Sequence, residues 1–297
     1  MGSIFNSLKQ TFKQGNIVTQ LIYINVTAFA LIALFVAVAL LFKIDNTTHF
    51  VHHLYLPADL SQLTRRPWAL LTYMFFHSDG LHLIGNMLWL YWFGKLFLYF
   101  FSSKHLRGLY VLGGLSGALL YIAAYNIFPY FQDKLYSASL VGASAAVLAI
   151  AMAIVAHEPE YRINLLFVGA IRLKYLALII VLFDILYIGS SNAGGHIAHL
   201  GGALAGWCFA KAISQGRDIT HGINVSIDFI GKLFCKRERK PKMKVHVNNS
   251  RKTDYDYNAN KKAKSDEIDR ILEKLKVSGY ESLTNNEKHK LFDASKR

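Results

Sequence analysis

Three short clusters of polar and small residues interrupt otherwise apolar sequence, and their residue types suit acyl transfer. His77, His82 and Asn86 form the first, with His82 and Asn86 four apart and so on one face of a helix. Gly142-Ala143-Ser144-Ala145 is the second, and His196 and His199, followed by Gly201-Gly202 and Gly206, make the third. A serine hydroxyl is a weak nucleophile until a base takes its proton, and a histidine within hydrogen-bond reach is the usual base. The tetrahedral intermediate then needs donors aimed at its oxyanion. The side chains of His82 and Asn86, and the Ser144 N–H at a helix start, can donate. Gly202 and Gly206 form a small-xxx-small pair that lets membrane helices approach closely, as a serine and a histidine on different helices require. A second chemistry uses the histidines alone: His77, His82, His196 and His199 could offer imidazoles to zinc. That reading leaves Ser144 and Asn86 without a task, and no metal or other cofactor is expected.

The elements that must position these clusters are membrane helices. Of 297 residues, 53% are hydrophobic and only 18% charged, whereas an average soluble chain carries roughly 25% charged residues. An ordinary soluble globule and a disordered chain are both excluded. The two cysteines, Cys208 and Cys235, make neither a disulfide framework nor a thiolate metal site. Of the net charge of +14, +8 falls after residue 215, so the preceding part is apolar and thinly charged. No nucleic-acid partner is expected.

Six apolar stretches of about 20 residues, the length that crosses the hydrocarbon, lie near 18–42, 81–101, 106–128, 139–156, 173–190 and 196–214. Lipid offers no partners to backbone amides, so helices are the form expected of them. The first is too long for the apolar core of a cleavable signal, with no small-residue cleavage site after it. Gly2 does not head a myristoylation pattern, because Asn6 stands where Ser or Thr is required. Polar side chains inside such stretches are costly and are functional candidates by default. His77 and His196 are read as structural or gating residues. Asp184, in the fifth stretch, is expected to face the bundle or water, and Lys95 to snorkel.

Loop charges set the orientation. Lys9, Lys13, Lys104, Arg107, Arg162, Arg172 and the basic tail alternate with the nearly uncharged 129–138 and 191–195, with Arg65 and Arg66 the mild exception. Both termini are therefore expected in the cytoplasm. The division expected is an interfacial segment at 1–17, in which 3–14 form a short amphipathic helix, and a six-span domain at 18–215. A basic juxtamembrane segment and linker follow at 216–264, then a helical hairpin at 265–297. The run 232–244 holds seven basic residues and one acidic, which suits anionic lipid. In the hairpin, Ile268, Ile271, Leu272 and Leu275 keep helical spacing, Gly279 is a stop signal, and Thr284 with Glu287 is a capping-box pattern before Leu291 and Phe292.

Taken together, HSDGLHLIGN (77–86), GASA (142–145) and AHLGGALAG (198–206) resemble the rhomboid family of intramembrane serine proteases, in that family's order and over roughly residues 16–214. The resemblance implies an all-α, polytopic six-helix transmembrane bundle, here followed by a small cytoplasmic hairpin. It implies a Ser–His dyad without a third acid: Ser144 as nucleophile and His199 as general base. His82, Asn86 and the Ser144 amide would form the oxyanion hole, with His77, Gly142, His196 and Gly202 in support. Substrates would be single-span membrane proteins cut in or just outside the outer part of their helix, in a bacterial inner membrane. The sequence departs from the pattern at Ala145, where many members have Gly, and at Ala69, where many have Arg after the tryptophan. It departs again at Leu148, where some place a Tyr that stacks on the histidine. A rhomboid-like protein that only binds membrane helices is the alternative; such proteins typically lack the serine or the histidine, and this chain keeps both.

Overall fold

The computed structural model describes residues 12, 14–45, 47–165, 169–234 and 251–295. The 3–14 segment lies outside the described residues except for Phe12 and Gln14, and so does most of the basic run 232–244. The chain separates into two units, residues 1–236 and 237–297.

The first unit is predominantly helical, and a helix occupies each of the six apolar stretches. These are α1 (Ile17–Leu41), α5 (Gly80–Phe100), α6 (Ser103–Ile127), α7 (Ser144–His157), α8 (Leu173–Leu186) and α9 (Ala193–Ser214). By length and composition α1 and α6 are apolar enough to cross a membrane, and α7 is a shorter apolar helix. Local chemistry starts several of them. Asn16 accepts from the Thr19 N–H at 3.0 Å, Asp79 from the His82 N–H at 2.9 Å, and Ser102 from the His105 N–H at 3.2 Å. Each satisfies an amide that the first helical turn leaves unpaired. On α1 only Val18, Leu21, Asn25 and Ala39 are buried, while Leu31, Leu34, Leu40 and Leu41 are exposed. A helix apolar on all faces suits lipid rather than water.

Between the first two apolar stretches the chain carries α2 (Thr47–His52), strand β1 (Leu56–Pro57), α3 (Leu60–Arg65) and α4 (Ala69–Thr72). The fourth helix starts later than its apolar run suggests, because Ser139–Leu140 (β2) pairs antiparallel with β1. The 157–172 loop contains a hairpin of β3 (Arg162–Leu165) and β4 (Gly169–Arg172), pairing Arg162 with Arg172. These two antiparallel pairs are a departure from a purely helical fold. Polar side chains, those of Tyr73 and Tyr110 buried and that of Asn126 half-buried, fasten the first loop to the bundle. Tyr73 Oη donates to the Gly114 carbonyl at 2.7 Å, Tyr110 Oη to that of Met74 at 2.9 Å, and Asn126 Nδ2 to that of Ala58 at 2.9 Å.

The core lies where α9 packs on α7 and α6. Small residues make that approach possible. A Cβ on Gly202 would lie 2.1 Å from the Ala145 carbonyl oxygen, and one on Gly206 2.1 Å from that of Ala149. After α9 comes α10 (His221–Phe234), held on α6 by Arg107. The Arg107 guanidinium pairs with Asp228 at 2.8 Å, and its Nε donates to Asn224 at 3.0 Å.

The second unit consists of α11 (Arg251–Ser278) and α12 (Asn285–Ser295). The capping box forms: the Glu287 carboxylate accepts from the Thr284 N–H at 2.8 Å, and Thr284 Oγ1 receives the Glu287 N–H at 3.4 Å. The Thr284 N–H and the Lys274 ammonium hold the Glu287 carboxyl at about 2. Lys274–Glu287 and Lys290–Glu267 link the two helices at 3.0 and 2.6 Å. Residues 251–264, read as linker, belong to α11.

Candidate functional site

Four helix ends surround one cavity. Residues lining it include His82 and Asn86 from α5, Ser144 and Leu148 from α7, Asp184 from α8, and His196 and His199 from α9, around a volume of about 500 Å³. Residues separated by more than a hundred positions in sequence thus face one space. Among the sequence-derived candidates, Gly142 abuts it through His82: a Cβ on Gly142 would lie 2.7 Å from His82 Cε1. Gly202 lies behind Ser144, against Ala145. His77 stands back from the cavity, buried, with its ring 5.2 Å from that of His82.

Ser144 is the first residue of α7. Its N-cap, Ala143, supplies no side-chain acceptor, so the first-turn amides keep the unpaired N–H groups that every helix start presents. The dipole of α7 adds partial positive charge there. Gly142 takes φ +129° and donates its N–H to the Tyr73 carbonyl at 3.0 Å, which fixes the turn into the helix. Ala145, in place of glycine, fits because its methyl faces Gly117, where a Cβ would lie only 2.6 Å from it, while its backbone meets Gly202.

His82 makes a side-chain contact between Nδ1 and Ser78 Oγ at 3.1 Å, which leaves Nε2 for the cavity side. Asn86 is buried and donates one amide proton to the His82 carbonyl at 2.9 Å; its amide group has a second.

Asp184 is the residue whose contacts the sequence does not foretell. It is 2% exposed, and its Oδ1 lies 2.8 Å from Nδ1 of His196 and 2.8 Å from Nδ1 of His199. The two rings meet edge to face at 5.9 Å. One signal was present: a lone acid in an apolar stretch, with two histidines three apart beyond the next turn. Among the described residues, Asp184, His196 and His199 are also the group whose ligand atoms, all within 4.8 Å of one another, could hold a metal ion. His77 and His82 are not in that group, so the four-histidine zinc site is not what the fold assembles.

Such a predominantly helical chain, apolar on its outer faces and with a polar cavity among helix ends, is a membrane protein. The family model of the rhomboid domain matches residues 64–216, more than half of the chain, and the chain belongs to the rhomboid family. A curated relative, RHOMBOID-like protein 12, mitochondrial, from Arabidopsis thaliana, is 31% identical over 159 residues. That match covers 50% of this chain and 47% of the relative, so the chain spans about half the length of the curated relative it matches. Residues 252–297 match a separate family of unknown function, DUF6576.

Proposed function

We propose that the chain is an intramembrane serine endopeptidase that hydrolyses peptide bonds in or beside the transmembrane helices of single-span proteins. The observation that carries this reading is the shared cavity: Ser144, His199, His82 and Asn86, from three helices, all line it. Ser144 Oγ attacks the scissile carbonyl as His199 takes its proton. The developing oxyanion meets the Ser144 N–H, the His82 ring and the Asn86 amide. His199 then protonates the leaving amine, and water, activated by the same base, releases the acyl group. Outside this reading stands the helix-binding alternative, which would make no use of the nucleophile.

In the same proposal the six helices α1 and α5–α9 each span the bilayer, with both termini cytoplasmic. Lipid is the partner of the outer faces, and anionic lipid that of the basic run 232–244. A bacterial inner membrane gains no support from the plant relative, whose name is mitochondrial.

Ser144→Ala and His199→Ala are each expected to abolish cleavage of a single-span substrate in detergent while the variant remains folded. A fluorophosphonate should label Ser144 in the wild type and not in Ser144→Ala. Near-wild-type turnover by Ser144→Ala would sink the mechanism. A second reading has its own observation, the Asp184–His196–His199 group, as a metal site. Stoichiometric metal in the purified protein, with activity lost to a chelator, would favour it.

A further inference from the structure

We infer that Asp184 is a positioning residue for His199, so that the site works as a Ser–His–Asp triad in which one carboxylate oxygen serves two imidazoles. The inference rests on the protease reading above and departs from the dyad that the family resemblance implies.

The placement of Asp184 is unusual for its helix. Along α8 the buried positions are Leu173, Ala177 and Asp184, whereas its neighbours Phe183, Ile185 and Leu186 are 51%, 50% and 78% exposed. An acid thus occupies a position of the inward face that an apolar side chain would fill at no cost. A buried carboxylate is strongly unfavourable unless charged or hydrogen-bonding partners compensate it. Among the described residues its partners are the two histidines, both on Oδ1, while Oδ2 has none. A carboxylate that served only packing would not be expected at such a place.

The chemistry follows from which atoms meet. A carboxylate accepts hydrogen bonds and cannot donate them, so Nδ1 of His199 must carry the proton in that contact. The lone pair of the neutral ring is then on Nε2, the nitrogen left to face the cavity. That is the tautomer a general base for Ser144 needs. It also places a negative charge behind the imidazolium that forms when the Ser144 proton moves. Leu148, one turn after Ser144, lines the cavity without offering a ring to His199, so the Asp184 contact is what orients it. His196, sharing the same oxygen, is a second partner that holds the carboxylate in place.

Full-length Asp184→Asn and Asp184→Glu test this in detergent, with thermal unfolding as the check on folding. The Asn amide keeps the shape but can present N–H to Nδ1 and stabilise the wrong tautomer. In other serine proteases that change lowers kcat by about 10⁴. Asp184→Asn should lose about 10²- to 10⁴-fold in kcat and in fluorophosphonate labelling rate, with KM within a few-fold of wild type. Asp184→Glu, which restores the charge, should recover at least about tenfold over Asn. An Asn variant within threefold of wild type in kcat would overturn the inference. So would equal impairment of Asn and Glu, or a defect confined to KM. Should Asp184→Asn not fold, the ¹⁵N-imidazole spectrum of the wild type decides: a protonated His199 Nδ1 is expected, and a bare Nδ1 overturns the role. A wild type whose Ser144 is never labelled would defeat the protease reading itself. A labelled wild type with an unimpaired Asp184→Asn would defeat only the role of Asp184.

Discussion

At Gly142 the backbone takes φ +129°, and a Cβ there would sit 2.7 Å from Cε1 and 2.9 Å from Nε2 of His82. An alanine would meet two penalties at once. The backbone strain is on the order of 1–3 kcal/mol for a side chain held in such a region, and the His82 ring must move from its place beside the turn into α7. Removing one preorganised oxyanion donor costs roughly 100- to 1000-fold in kcat. Gly142→Ala is therefore expected to resemble His82→Ala in kcat and to melt at a lower temperature, as turnover and thermal unfolding in detergent would show. His82→Ala and Asn86→Ala should each retain part of the activity, because the Ser144 N–H remains. Full activity in both would remove them from the site. Ser144, His199, His82 and Asn86 are legible in the sequence because each lies in a short motif whose residue types have few other uses inside a membrane. The partnership of Asp184 with His199 is not, since no spacing rule links residue 184 to 196 and 199. Only the reversal of the chain between α8 and α9 turns the acid and the two rings toward one another.

The glycines of α9 differ from glycines elsewhere in what surrounds them. Cβ atoms on Gly202 and Gly206 would reach within 2.1 Å of the Ala145 and Ala149 carbonyl oxygens. Those are backbone atoms of α7, which cannot swing aside as a flexible side chain can. Overpacking a close interface costs about 1–3 kcal/mol or more. Gly231, inside α10, has nothing within 4 Å of such a Cβ, and replacing an interior helix glycine by alanine gains about 0.5–1 kcal/mol. Gly206→Ala should lower the thermal midpoint and Gly231→Ala should raise it slightly. Equal midpoints for the two would contradict the α7–α9 approach. Apolar length located the long helices within a few residues, because an apolar run has one structural use in lipid. The elements missed are those without that signature. β1 and β2 are two residues each, and β3–β4 lies in a short charged loop. α10 was read as basic juxtamembrane sequence, although Val225, Phe229 and Leu233 recur at four-residue spacing. Residues 251–264 are polar enough to read as linker, yet they contain neither Gly nor Pro and so carry α11 without an apolar face.

The cavity gathers the starts of α5, α7 and α9 and the end of α8, so it belongs to one end of the bundle. At the opposite end lie Lys104 and Arg107 near the start of α6, Arg162 and Arg172 in the β3–β4 hairpin, and Lys174 at the start of α8. In the proposed topology the positive-inside rule makes that end cytoplasmic and opens the cavity to the other side. Single cysteines introduced at 129–138 should react with an impermeant thiol reagent from outside, and those at 103–107 should not. A C-terminus found outside would require an odd number of spans.

The tail divides at the same scale. Thr220 and Asn224 are buried. Asn224 donates to the Lys104 carbonyl at 3.0 Å, and a Cβ on Gly108 would lie 2.6 Å from Thr220 Cβ. α10 is thereby part of the bundle, and the described residues that line the cavity all lie between positions 81 and 199. A chain cut after residue 236 should keep its Ser144 labelling rate and thermal midpoint in neutral detergent. A chain cut after residue 216 should melt lower. It loses the partners of Arg107 and the Lys104 carbonyl, and leaving a buried polar group unpaired costs about 1–3 kcal/mol. The 236 cut also removes five of the seven basic residues in 232–244. Each basic residue near an anionic surface contributes about 1 kcal/mol of attraction, so this chain should bind anionic vesicles less tightly than the full-length protein. The difference should shrink with added salt, because the Debye length is about 8 Å at physiological ionic strength. A chain ending at 236 that is folded yet unlabelled in detergent would show that the second unit supports the catalytic end, and its separation from the chemistry would have to be abandoned.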